Sequence, residues 1–115
     1  MEPTLFDKQI VLENKITKKY KKNDIVVIKK NNLKIIKRIV ACEYDKVVIK
    51  DGYLYINDEK NNEIYTDNYG ILNNEIILKK DEFIVLGDNI NNSIDSRNKE
   101  IGIIKKNEIK GKIIT

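Results

Sequence analysis

Apolar residues fall along this chain in short runs of about four to six, separated by clusters of Asn, Asp, Gly and Lys. Ile25-Val26-Val27-Ile28 lies within Asp24–Lys30, and Ile35, Ile36, Ile39 and Val40 give an apolar body to Leu33–Cys42. Both stretches are rich in β-branched side chains, which suit a pleated, half-buried surface. Further strands are expected at Asp45–Lys50, Gly52–Asn57, Glu82–Leu86, Glu100–Lys105 and Glu108–Ile114, with another in Asp7–Asn14, which contains Ile10, Val11 and Leu12, and a short one at Glu75–Leu78. Asp51-Gly52 is a hairpin signal, since both central positions of such a turn need positive φ. Glu59–Asn74 is polar and turn-rich, with room for a short strand near Glu63–Thr66. Met1–Leu5 reads as extended or turning, because Pro3 biases Glu2 away from helix. No stretch of useful length has helical periodicity. The pattern predicts an all-β barrel or sandwich.

Composition narrows the chemistry. With 115 residues the chain has room for one domain and not comfortably two. A net charge of +4 is too modest to mark a nucleic-acid binder, and none is expected as a partner. The lysine-rich Ile16–Asn23 reads as a solvated turn. The chain has no histidine, so a His-based triad and a His-ligated metal are excluded. Cys42 is the single cysteine, so no intrachain disulfide forms. No run reaches the roughly 18 apolar residues of a membrane span, and neither metal nor cofactor is expected.

The segment Gly87-Asp88-Asn89-Ile90-Asn91-Asn92-Ser93-Ile94-Asp95-Ser96-Arg97 follows the apolar run Phe83–Leu86. It crowds turn formers, hydroxyls and opposite charges into one loop, more than a plain turn needs. Within the Leu33–Cys42 strand, Lys37 alternates onto one face with Ile35 and Ile39. A lysine acts as a general base only when neutral, so an apolar site must bring its pKa down from about 10.4.

Together these segments resemble the type I signal peptidases, membrane-bound serine–lysine endopeptidases. Gly87–Arg97 is similar to their signature loop, Ile36-Lys37-Arg38-Ile39-Val40 to the motif of the catalytic lysine, and Met1-Glu2-Pro3-Thr4-Leu5 to the segment that begins with the nucleophilic serine, here without it. The three occur in the family's order. The resemblance implies coiled antiparallel sheets forming a partly open barrel, as in signal peptidases and LexA-like domains, with residues 1–115 as a single catalytic domain. It implies Lys37 as the general base and Ser93 as the hydroxyl that orients its amine. It pairs Asp88 with Arg38 and Asp95 with Arg97 in support, and sets Met1, Ile35 and Ile36 against the substrate. The implied substrates are signal peptides of preproteins, cut after small residues. The implied setting is the cell membrane, with a single-pass anchor outside this chain and the domain on the extracytoplasmic side.

Departures from the family pattern carry expectations of their own. The nucleophile would directly precede Met1, so residues 1–115 alone are expected to be inactive, and a non-catalytic peptide-binding or scaffold subunit is the alternative. Ala41-Cys42-Glu43-Tyr44-Asp45 stands where a Gly-Asp turn usually follows the lysine motif, so that turn should be built differently. Ile90 stands where the family often has arginine. A LexA-type self-cleaving repressor shares the Ser–Lys chemistry, but the loop Gly87–Arg97 favours the peptidase.

Overall fold

Three two-residue turns set the register of the hairpins. In a computed structural model describing residues 9–12 and 19–114, positive φ occurs at Asn31 and Asn32 (51° and 66°), Asp51 and Gly52 (53° and 87°), and Asn57 and Asp58 (52° and 69°). Paired positive φ matches the right-handed twist of the strands on either side. The turns join β2 (Ile25–Lys30) to β3 (Leu33–Ala41), β4 (Lys46–Lys50) to β5 (Tyr53–Ile56), and β5 to β6 (Glu59–Tyr65). The remaining strands are β1 (Gln9–Leu12), β7 (Ile76–Ile77), β8 (Glu82–Leu86), β9 (Ile104–Lys105) and β10 (Ile109–Ile114).

The strands form a six-stranded antiparallel sheet in the order β1-β10-β2-β3-β8-β9 and a four-stranded one in the order β6-β5-β4-β7. The fold is all-β, and neither sheet closes into a barrel. Apart from strands and loops, the described residues hold three short 3₁₀ turns, at Gly70–Asn73, Ile90–Asn92 and Lys106–Glu108.

Every residue of β8 is buried. Phe83 and Val85 join one core with Val26, Ile28, Ile39, Ile101, Ile104 and Ile109, whereas Ile84 and Leu86 join a second with Val47, Ile49, Leu54, Leu72 and Leu78. β8 is therefore a wall with a core on either side, which is why its Phe83–Leu86 stretch reads as a continuous apolar run. β3 also serves both cores. Its pairing with β8 shifts between Ile39 and Ala41, and these residues belong to the first and second core respectively.

Three strand expectations need correction. β6 begins at Glu59 rather than near Glu63, because Asn57-Asp58 closes a hairpin onto β5. The Glu75–Leu78 run contributes only Ile76–Ile77, and the Leu78 amide instead donates to Asp45 O (2.9 Å). Of Glu100–Lys105 only Ile104–Lys105 is strand, because Asn98 O takes the amides of Ile101 and Gly102 in a turn. The Met1–Leu5 segment lies outside the described residues.

Candidate active site

β3 fixes the positions of Lys37 and Arg38. Lys37 pairs with Val26 of β2, and Arg38 pairs with Leu86, the last residue of β8. The chain leaving β8 therefore passes directly beside these side chains, and its first loop residues, Gly87 and Asp88, meet them.

Asp88 takes the Arg38 guanidinium in a two-pronged grip, Nε to Oδ1 at 2.9 Å and Nη2 to Oδ2 at 3.0 Å. The bond to Asp88 holds the Arg38 guanidinium pKa above its usual value, against the opposing effect of partial burial. Arg38 Nη1 also donates to Asn23 O (3.0 Å), so the pair ties β3, the loop and the segment before β2 together.

Lys37 Nζ donates to Ser93 Oγ at 3.0 Å, across 56 residues of sequence. Space for this contact depends on Gly87. A Cβ there would stand 2.0 Å from Ser93 Oγ, 2.6 Å from Ser93 Cβ and 3.2 Å from Lys37 Nζ. The lysine amine has a depressed pKa. Burial is the largest cause; the Arg97 cation acts the same way, while Asp95 and Asp88 act against it. A half-buried, hydrogen-bonded amine biased toward its neutral form can accept a proton from a hydroxyl presented to it.

Ser93 in turn donates to Asp95 Oδ2 (2.9 Å). Asp95 is almost fully buried, 1% exposed, and it also accepts from Gly87 N and from the backbone N, Nε and Nη2 of Arg97. Arg97, 2% exposed, spends its other donors on Thr66 Oγ1 (3.0 Å), Asn68 O (3.2 Å) and Ile90 O (2.7 Å). A buried ion pair survives only when such bonds satisfy its remaining donors and acceptors. The structure thus joins Lys37, Ser93, Asp95 and Arg97 in one connected network, with Arg38 and Asp88 beside it.

The two isoleucines before the lysine separate. Ile35 packs onto the first core, whereas Ile36, half-buried, falls on the opposite face with Arg38, as strand alternation requires. Met1 lies outside the described residues. A groove of about 470 Å³ opens on the Arg38 face, where Val40, Leu86, Gly87, Asp88 and Ile90 are among its lining.

Ser96 and Thr66 were not singled out in the sequence. Ser96 is fully buried and pairs with Val85 like a strand residue, its N donating to Val85 O (3.1 Å) and its Oγ accepting from Val85 N (2.9 Å). A Ser between two charged residues gives a weak sequence signal for this; Thr66, in an otherwise polar stretch, gives none. The turn after the lysine strand is indeed built without glycine. Tyr44 takes φ of 70°, and Asp45 Oδ2 accepts from Cys42 N at 2.9 Å. No group of His, Cys, Asp and Glu placed to hold a metal occurs among the described residues.

Residues 1–115, the whole chain, match the family model described as signal peptidase, peptidase S26. The chain belongs to the signal peptidase family. It is 34% identical to signal peptidase I of Bacillus amyloliquefaciens, over 96% of this chain and 67% of that protein. It is 32% identical to signal peptidase I S of Bacillus subtilis, over 96% of this chain and 68% of that one. The fold is similar to the crystal structure of a signal peptidase I from Enterococcus faecalis, with a TM-score of 0.67 and 24% identity over 84% of this chain and 97% of that one. The family is one of serine endopeptidases. Among the described residues no helix is long and apolar enough to cross a membrane.

Proposed function

We propose that this chain supplies the general base and its supporting network to a serine endopeptidase that removes signal peptides from preproteins. Lys37 is the base. The observation that carries this reading is the half-buried Lys37 amine, depressed in pKa and hydrogen-bonded to Ser93 in the loop that follows β8.

In this mechanism a serine placed directly before Met1 gives its hydroxyl proton to neutral Lys37 as Oγ attacks the peptide carbonyl. The ammonium then returns that proton to the leaving amine. A water molecule, deprotonated by the same lysine, hydrolyses the acyl-enzyme and frees the serine. Ser93 aims the amine, and the Asp95–Arg97 and Asp88–Arg38 pairs hold β3 against the loop; catalysis is sensitive to displacements of an ångström. By the family resemblance Met1, Ile35 and Ile36 border the bound signal peptide, Ile35 also packing onto the first core. Residues 1–115 act as one catalytic domain, held by a single-pass anchor on the extracytoplasmic side of the cell membrane.

The test is cleavage of a preprotein by residues 1–115 extended with an apolar anchoring segment and a serine directly before Met1. Cleavage after a small residue is expected, and both Lys37→Ala and Lys37→Arg should abolish it, since arginine does not release its proton at working pH. Cleavage that survives Lys37→Ala refutes the assignment of the base. An inactive extended protein, in lipid with a good substrate, favours a non-catalytic peptide-binding or scaffold subunit.

A further inference from the structure

We infer that Thr66, directly after β6 of the four-stranded sheet, is a positioning residue for the lysine site, acting through Arg97, Asp95 and Ser93. The inference rests on the reading of Lys37 as the base and adds a contribution from the second sheet, outside the motifs that carry the family resemblance.

Thr66 is 1% exposed, and its hydroxyl accepts from both Arg97 Nη1 (3.0 Å) and Asn68 N (3.0 Å). Its own amide donates to Gly52 O (2.9 Å), the turn joining β4 to β5. Thr66 is thus fixed to its sheet on one side and grips the guanidinium on the other. From there the contacts continue without a gap: Arg97 Nη2 to Asp95 Oδ2 (2.9 Å), Asp95 Oδ2 to Ser93 Oγ (2.9 Å), and Ser93 Oγ to Lys37 Nζ (3.0 Å). Among the described residues the only other acceptor at Nη1 is Asn68 O, at the longer distance of 3.2 Å.

The electrostatics give the relay a direction. The charges acting on Lys37 are Asp95 and Asp88, which favour its ammonium, and Arg97, which favours its neutral form; Arg38 is engaged with Asp88, and the β2 residue opposite Lys37 is the apolar Val26. Arg97 also covers the Asp95 carboxylate on both oxygens. A guanidinium released from Thr66 covers it less well, and the uncovered carboxylate draws the lysine toward its charged form.

The experiment is an NMR titration of the Lys37 Cε resonance in lysine-labelled protein, with melting temperatures measured alongside. Thr66→Val keeps the volume and removes the acceptor; its Lys37 midpoint should move to higher pH. Thr66→Ser restores the acceptor and should return the midpoint to the parent value, even where it lowers the melting temperature. A Thr66→Val protein that melts lower yet titrates at the parent midpoint overturns the proposal and leaves Thr66 a purely structural residue. Should Thr66→Val not fold, Thr66→Cys replaces the hydroxyl with a weak acceptor. It should shift the midpoint upward by less, and an unchanged midpoint overturns the proposal equally. The titration needs no proteolysis, so its failure is separable from failure of the base assignment, which the cleavage assay reads.

Discussion

Gly87→Ala tests the site where the loop packs directly against Ser93. The new methyl would sit 2.0 Å from Ser93 Oγ and 2.6 Å from Ser93 Cβ, where ordinary contact begins near 3.4 Å. A change of Ser93 rotamer clears the first clash but leaves the second, so the backbone of the loop has to move. Overpacking of this kind costs about 1–3 kcal/mol, and losing the lysine–serine bond adds about 1 kcal/mol. A chain of 115 residues unfolds with an entropy of about 0.24 kcal/mol/K, so a loss of about 2–4 kcal/mol lowers Tm by about 8–17 °C. Differential scanning calorimetry reads that change. Ser93→Gly in the same background removes both clashing atoms and leaves Lys37 Nζ, at 3.2 Å, as the closest group, so the two substitutions should cost much less together than their sum. A Gly87→Ala protein melting within about 2 °C of its parent, equivalent to about 0.5 kcal/mol, would refute the reasoning.

Asp88→Ala leaves the Arg38 guanidinium with Asn23 O but without its two-pronged partner. Both side chains are about one-third exposed, so the loss should be about 1 kcal/mol, or about 4 °C in Tm, shrinking as salt is added; an unchanged Tm shows the pair to be superficial. Lys37→Met removes a group whose folded pKa lies below its unfolded value. The parent carries the cost of a buried ammonium at pH 7 and sheds it as pH rises from the folded toward the unfolded pKa. Chemical denaturation should therefore find Lys37→Met gaining on the parent at neutral pH and the gap closing toward about pH 10; a gap independent of pH contradicts the lowered pKa.

The strands were legible wherever β-branched runs were bounded by Asn, Asp or Gly, as at Ile25–Lys30 and Lys46–Lys50. They are not legible where ladder pairing depends on distant partners. Nothing local at Glu59–Asn61 announces a strand with five of its seven residues polar; the Asn57-Asp58 turn does, through the positive φ that both residues tolerate. Within the site, Lys37, Ser93, Asp95 and Arg97 could be named because they share two short motifs. That Ile35 and Ile36 part company was implicit in strand alternation. The part played by Thr66 was not legible, because Arg97 reaches it across 31 residues and only folding brings them together.

The shared wall formed by β8 bears on how the molecule comes apart. Because Phe83 and Val85 serve one core and Ile84 and Leu86 the other, neither core can open while its neighbour keeps that strand in place. Unfolding should therefore be cooperative across both sheets, and the β8 amides should exchange their hydrogens only through the global event. The loop that carries Ser93, Asp95 and Arg97 starts at the end of this strand and pairs back onto it through Ser96. The network of Lys37, Ser93, Asp95 and Arg97 is thereby fastened to the part of the molecule that opens last, so local fluctuations elsewhere in the sheets can pass without disturbing the distance between lysine and serine.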